Sequence, residues 1–293
     1  MVKFSTGFVG ATHDEMLEQA VNFLPKMSRK IVLPFTGSAK DLPLLSLYGD
    51  VIESYDTQYI SKAIVEGVFR PKTAKSRVLT VPEWKGLDKV DGFVYTTKAI
   101  PKMPDEVTRW VDAVAELGTP YDHVCLLKAV ARNTFKGRLD MWNPTSTLAS
   151  IQNDFVRAND YFKQFVGIGG NLDHHMGDVF EHKLQVTEDD TLWIDPPKVV
   201  SSIDIYFKMA PRINGMLLQK EVTQPRWGKT DVIPRLRRLF ELPAKRVVFF
   251  YCSDIQPSDG EIQKLLESCG TITDRIRVLH GSKADYAYQL DKE

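Results

Sequence analysis

The residues with the sharpest chemical content are Asp195, Pro196 and Pro197, which directly follow the apolar run Thr191-Leu-Trp-Ile194. A short apolar run bounded by turn residues reads as a buried strand. Binding sites in open α/β sheets lie at the carboxyl ends of such strands. Two consecutive prolines fix the backbone and leave carbonyls with no competing N–H. An Asp carboxylate beside a rigid, outward-pointing carbonyl can accept both hydrogens of an –NH2 group. That pairing orients the nitrogen lone pair for attack on an electrophilic methyl. Asp and Pro also end strands in plain turns, so on these residues alone a simple turn stays open as the alternative.

Other reactive side chains offer less. His174 and His175 are adjacent, and adjacent side chains diverge on any regular element, so they make no metal site. Ser253 has no nucleophile-elbow setting, and no phosphate-binding P-loop is present. Cys125, Cys252 and Cys269 lack metal-ligand spacing and are too few for a disulfide framework, which points to a reducing cytoplasm. Basic residues gather at Arg70, Lys72, Lys75 and Arg77, and at Arg132, Lys136 and Arg138. The densest group is Arg226, Lys229, Arg235, Arg237, Arg238, Lys245 and Arg246. Lys+Arg and Asp+Glu both number 38, so any nucleic-acid contact must use a local patch rather than general basicity.

The elements that must position these residues show in the apolar pattern. Over 14–24, Leu17, Ala20, Val21 and Leu24 share one helical stripe, stopped by Pro25. Lys30-Ile-Val-Leu33 reads as a buried strand, broken by Pro34-Phe-Thr-Gly37. A helix or turn follows through Leu42-Pro-Leu-Leu45, then a second strand over Asp50–Tyr55, ending near Asp56. Helix, strand, glycine loop, helix, strand, acid is the opening of an open parallel α/β sheet. The alternation stops from about residue 68 to about 165. That stretch holds a helical pattern from Pro104 closed by Gly118, and another over roughly 147–165. It reads as a helical insert. Sheet-like pattern returns at 191–195, 201–206 and 214–219, and most strongly at 245–252. A helix over 259–269, stopped by Gly270, precedes strands over 271–279 and 286–290.

The chain has 293 residues, of which 43% are hydrophobic and 26% charged, values of a globular protein rather than a disordered one. No apolar run approaches the roughly 20 residues that span a bilayer, and the N-terminus lacks a signal-peptide core. The expectation is a cytoplasmic protein without a membrane partner, a monomer or weak dimer.

Asp195-Pro-Pro-Lys198 resembles the DPPY motif of amino-methyltransferases, and the order of parts resembles the Dam-like, alpha-group DNA adenine methyltransferases. Leu33-Pro-Phe-Thr-Gly-Ser38 stands where that family has a PFxGSG-type loop. The segment Gly167-Ile-Gly-Gly-Asn-Leu-Asp through Gly177-Asp178-Val-Phe180 looks like the lead-in to its catalytic motif. Val247-Val-Phe-Phe-Tyr-Cys-Ser-Asp254 is similar to its late VLLSYSD strand. The likeness runs in order over most of the chain. Pro-Phe-x-Gly-Ser and Asp-Pro-Pro are its more specific motifs.

The resemblance implies a Rossmann-like methyltransferase sheet from residues 1–67 and 166–293, with a helical DNA-recognition insert over 68–165. It implies S-adenosylmethionine as cofactor and double-stranded DNA as partner, with a methyl group passing to the exocyclic amine of a flipped adenine. Asp195, Pro196, Pro197 and Lys198 then form the catalytic motif. Pro34, Phe35, Thr36, Gly37 and Ser38 form the cofactor loop, with Gly37 letting the backbone approach the cofactor. Glu53 or Asp56 accepts from the ribose hydroxyls, and Asp178 and Phe180 sit by the cofactor adenine. Arg132, Lys136 and Arg138 contact DNA. The sequence departs from the family at Lys198, where a stacking Tyr is usual, at Ser54, where the second-strand acid is usual, and at His13. Two alternatives follow: a degenerate relative that binds DNA or cofactor without turnover, and an enzyme modifying another base.

Overall fold

The computed structural model describes residues 4–6, 14–71, 100, 102–135, 141–197, 213–218, 227–228, 230–252, 257–280 and 283–292. Seven strands form one sheet: β1 (Ser28–Leu33), β2 (Gly49–Asp56), β3 (Leu172–Met176), β4 (Thr191–Ile194), β5 (Arg246–Cys252), β6 (Thr271–His280) and β7 (Lys283–Asp291). Their order is β3-β2-β1-β4-β5-β7-β6. The first five run parallel, while β7 is antiparallel to both β5 and β6. This is a mostly parallel α/β sheet, as the sequence pattern predicts, and it is compatible with a Rossmann-like fold.

Both faces of the sheet are covered, as parallel strands require. Ile31, Leu33, Ile52, Trp193, Val248 and Phe250 face one apolar cluster. Val32, Leu192, Ile194, Val247, Phe249 and Tyr251 face the other. The period of two along each strand accounts for this partition. The first face carries α1 (Asp14–Ala20) and α3 (Tyr59–Ile64). It also carries the helices α4 (Asp105–Leu117), α5 (Pro120–Arg132) and α6 (Leu148–Lys163). Trp110, Leu126, Ile151 and Phe162, all fully buried, belong to the same cluster as Ile31 and Ile52. The second face carries α7 (Val232–Phe240) and α8 (Asp259–Cys269). Among the described residues, no helix is long and apolar enough to cross a membrane.

Several sequence expectations change here. The segment 213–218 is helical, not a strand. Its Ile213, Met216 and Leu217 fall at helical spacing into the first cluster, an ambiguity inherent to short apolar runs. Helix α5 starts at Pro120 in a region read as proline-broken, because proline is well suited to the first turn and Thr119 with Asp122 forms a full capping box. Where the chain leaves the sheet for the helices, Gly67 lies so close to α5 that a Cβ would sit 2.5 Å from the Tyr121 nitrogen. The strand expected over 201–206 lies outside the described residues.

Candidate active site

The order β2-β1-β4-β5 sends the chain from β1 towards one end of the sheet and from β4 towards the other. The crevice between β1 and β4 is therefore the switch point at which ligands bind open α/β sheets. Residues 34–41 follow β1 and Asp195 follows β4, so Gly37 and Asp195 stand on the same edge. Asp56 ends β2 and Asp178 comes two residues after β3, on that edge as well.

The loop after β1 is held by bonds to β2 and α3. Thr36 donates both its N–H and its hydroxyl to the Tyr55 carbonyl, each at 2.9 Å. The Gly37 N–H donates to Asp56 Oδ2 at 2.6 Å, and the Gln58 N–H to Asp56 Oδ1 at 2.8 Å. Ser61 Oγ donates to the Gly37 carbonyl at 2.6 Å. Gly37 needs its glycine for a φ of 54°, and a Cβ there would meet nothing within 4 Å. The space that a Gly37 side chain would enter is thus open. Burial pushes the Asp56 carboxyl up to about 6, opposed by the N–H groups that it accepts. Pro34 and Thr36 are buried, and Phe35 and Ser38 half-buried.

Farther along the loop, Lys40 pairs with Asp14 of α1. Asp41 occupies the N-cap of α2 (Leu42–Leu45) yet makes no side-chain cap. Its Oδ2 instead accepts from Trp193 Nε1 at 2.7 Å. Burial first, and the Asp195 charge second, push the Asp41 carboxyl up to about 7 against the pull of Trp193 and Lys40. Asp195 and Pro197 are half-buried and Pro196 is buried. Lys198 lies outside the described residues.

On the third strand, the Gly177 N–H donates to the Asp56 carbonyl at 2.9 Å, closing β3 onto β2. Asp178 accepts from the Phe180 N–H and from Arg235, both at 3.1 Å. The guanidinium groups of Arg235 and Arg238 lie 5.2 and 4.7 Å from the Phe180 ring centre. Trp227 meets Phe180 at 6.0 Å and Phe35 edge-on at 5.2 Å. A chain of rings thereby joins the β1 loop to the segment after β3.

Of the residues expected from the sequence, the structure gathers Pro34–Ser38, Asp56, Asp178, Phe180 and Asp195–Pro197 along one edge. Glu53 is a correction. It lies three residues before the end of β2 and bonds to Lys30 at 2.9 Å and to the Tyr55 hydroxyl, so it is spent inside the sheet. Ser54, at the position of the family's acid, is buried, with its Oγ 2.9 Å from His174 Nδ1. Burial pushes His174 down to about 4, and its Nε2 is buried with no hydrogen-bond partner among the described residues. Arg132 pairs with Asp154 at 3.4 Å, while Lys136 and Arg138 lie outside the described residues. The basic group near α7 also disperses: Lys245 pairs with Glu188 and Arg246 with Asp291.

Sequence reasoning passed over Asp41, Trp227, Arg235 and Arg238 as parts of this edge. Only Arg235 and Arg238 had a signal, their basic cluster, and it pointed to a surface rather than to Phe180. Among the described residues, no group of three or more His, Cys, Asp or Glu side chains is placed to hold a metal ion. No protein-family model matches the chain, and no curated protein matches it in sequence.

Proposed function

We propose that the protein is an S-adenosylmethionine-dependent methyltransferase acting on the exocyclic amine of a nucleobase in DNA. The observation that carries this reading is the meeting of the Gly37 loop and Asp195-Pro-Pro at the β1/β4 switch point. The strand order 3-2-1-4-5-7-6, with only β7 antiparallel, is compatible with the Rossmann-like sheet that the resemblance implies.

The residues present fit such a cofactor. Gly37 leaves open space on the loop, and the rings of Phe35, Trp227 and Phe180 with the Asp178 carboxylate offer flat and anionic surfaces beside it. S-adenosylmethionine supplies an electrophilic methyl on a sulfonium. This chain holds and orients the nucleophile. Asp195 and the Pro196 carbonyl accept the two hydrogens of the amine, which turns its lone pair towards the methyl. The amine is neutral, so no base is needed before attack, and its proton leaves afterwards.

A second reading, binding without turnover, has its own support. Both Asp178 oxygens already accept bonds from within the chain, and Lys198 replaces the family's stacking Tyr. Calorimetry with S-adenosylmethionine and a tritiated-methyl assay on unmethylated DNA separate the two. We expect binding and transfer by the wild type, and for Asp195→Asn a loss of at least about 100-fold in transfer with binding kept. Binding without transfer selects the second reading, and no binding of S-adenosylmethionine removes the first.

A further inference from the structure

Arg235 of α7 joins three segments at the carboxyl edge. Its guanidinium donates to Asp178 Oδ2 at 3.1 Å, across 57 residues of sequence. The same group lies 5.2 Å from the Phe180 ring centre and 5.4 Å from that of Trp227. Trp227 in turn meets Phe35 of the β1 loop. Asp178 Oδ1 accepts from the Phe180 N–H. Carboxylate and ring are therefore tied to each other, and both to α7.

Helix α7 does not need this contact to stay in place. Val232, Leu236, Leu239 and Phe240 already bury one stripe of it in the second cluster. The Arg235 and Asp178 side chains keep 31% and 22% of their exposure, and ion pairs near the surface add little stability. What the pair fixes is a direction. The pairing of β3 with β2 ends at Met176, and Asp178 and Phe180 stand at the short turn Val179–Glu181 beyond it. A guanidinium combines a donor fork with a flat face, so it can hold a carboxylate and a ring at once.

We propose that Arg235 is a positioning residue for the purine end of the cofactor, holding the Asp178 carboxylate and the Phe180 ring in one arrangement. This inference rests on the methyltransferase reading, in which Asp178 and Phe180 sit by the cofactor adenine. The bond to Arg235 does not exhaust Asp178. An ionised carboxylate has about four lone-pair sites, and the bonds from Phe180 and Arg235 leave room for another. The adenine amine can donate there. Arg235 acts through Asp178 and Phe180 and not by touching the cofactor.

The test compares full-length Arg235→Ala and Arg235→Lys with the wild type. The first readout needs no cofactor: amide hydrogen exchange of the Phe180 N–H, followed by NMR. Exchange should quicken about tenfold in Arg235→Ala and less in Arg235→Lys, which keeps the charge but not the fork. Unchanged exchange overturns the positioning role. The second readout is calorimetry with S-adenosylmethionine and with adenosine. Both ligands should bind Arg235→Ala about tenfold more weakly, the worth of one hydrogen bond to a charged group. Arg235→Lys should recover part of this. In the transfer assay, KM for S-adenosylmethionine should rise by the same factor with kcat unchanged. Urea midpoints of both variants should stay close to that of the wild type. Adenosine affinity unchanged in Arg235→Ala, or a fall in kcat alone, overturns the inference. If Arg235→Ala does not fold, Arg235→Lys decides, with faster Phe180 exchange and weaker adenosine binding expected and neither change overturning the role. A wild type that binds neither S-adenosylmethionine nor adenosine removes the methyltransferase reading and the purine role with it. A wild type that binds both, with Arg235→Ala unimpaired, removes this inference alone.

Discussion

The helices α4–α6 and the carboxyl edge of the sheet satisfy their polar groups in opposite ways. At the starts of the helices the capping partners are local. Thr119 and Asp122 cap each other across three residues, as do Thr147 and Ser150. At the sheet edge the partners are remote: Gly37 with Asp56, 19 residues apart, Ser54 with His174, 120 apart, and Asp41 with Trp193. Local caps start a helix and are complete once it forms. Remote bonds exist only when strands have met, and they leave carboxylates and an imidazole buried in altered protonation states. Such perturbed groups mark functional sites more often than structural ones. Burial also lowers His123 and Lys128 within α5, so shifted groups are not confined to the edge.

The largest effect should come from cutting a remote bond. Asp56→Ala removes the acceptor of both the Gly37 and Gln58 N–H groups. With about 1–3 kcal/mol for each orphaned buried donor, we expect a loss of roughly 2–6 kcal/mol in urea unfolding. S-adenosylmethionine binding should vanish in calorimetry at temperatures where the chain stays folded. Unchanged binding would detach the loop from the cofactor.

The next effect is a pH dependence. His174 titrates near 4 in the folded chain, below its usual value of 6.5. The unfolded chain therefore takes up the proton first, and the stabilising effect of His174, present above about 6.5, is lost as pH falls towards 4. Asp41 and Asp56, with raised carboxyls, act with the opposite sign and cost stability as pH rises towards 7. In urea midpoints taken across pH, the stability of the wild type relative to His174→Gln should fall as pH drops from about 6.5 towards 4. A difference that does not change with pH would take this role from His174.

Within the helices the effects shrink. Thr147→Ala removes one cap and should cost about 1 kcal/mol in urea unfolding. Arg132→Ala breaks an exposed ion pair and should change stability by less than about 1 kcal/mol. If Arg132 contacts DNA, the same substitution should flatten the salt dependence of binding. An unmoved slope would exclude the end of α5 from the DNA surface.

Sequence alone determined the elements whose signals are local. β1, β4 and β5 follow from apolar runs bounded by turn residues, and α4 and α8 from stripes closed by Gly118 and Gly270. The loop Pro34–Ser38 and Asp195-Pro-Pro were legible because each motif is contiguous, and the parallel alternation already put both after strands. Tertiary structure decided the rest. It turned 213–218 into a helix by offering that stripe an apolar face, and it consumed Glu53 by bringing Lys30 beside it on the neighbouring strand. It also brought Asp41 within hydrogen-bond reach of Trp193 on β4. Such pairings arise from strand register and crossover, which bring distant residues together and leave no periodic trace along the chain.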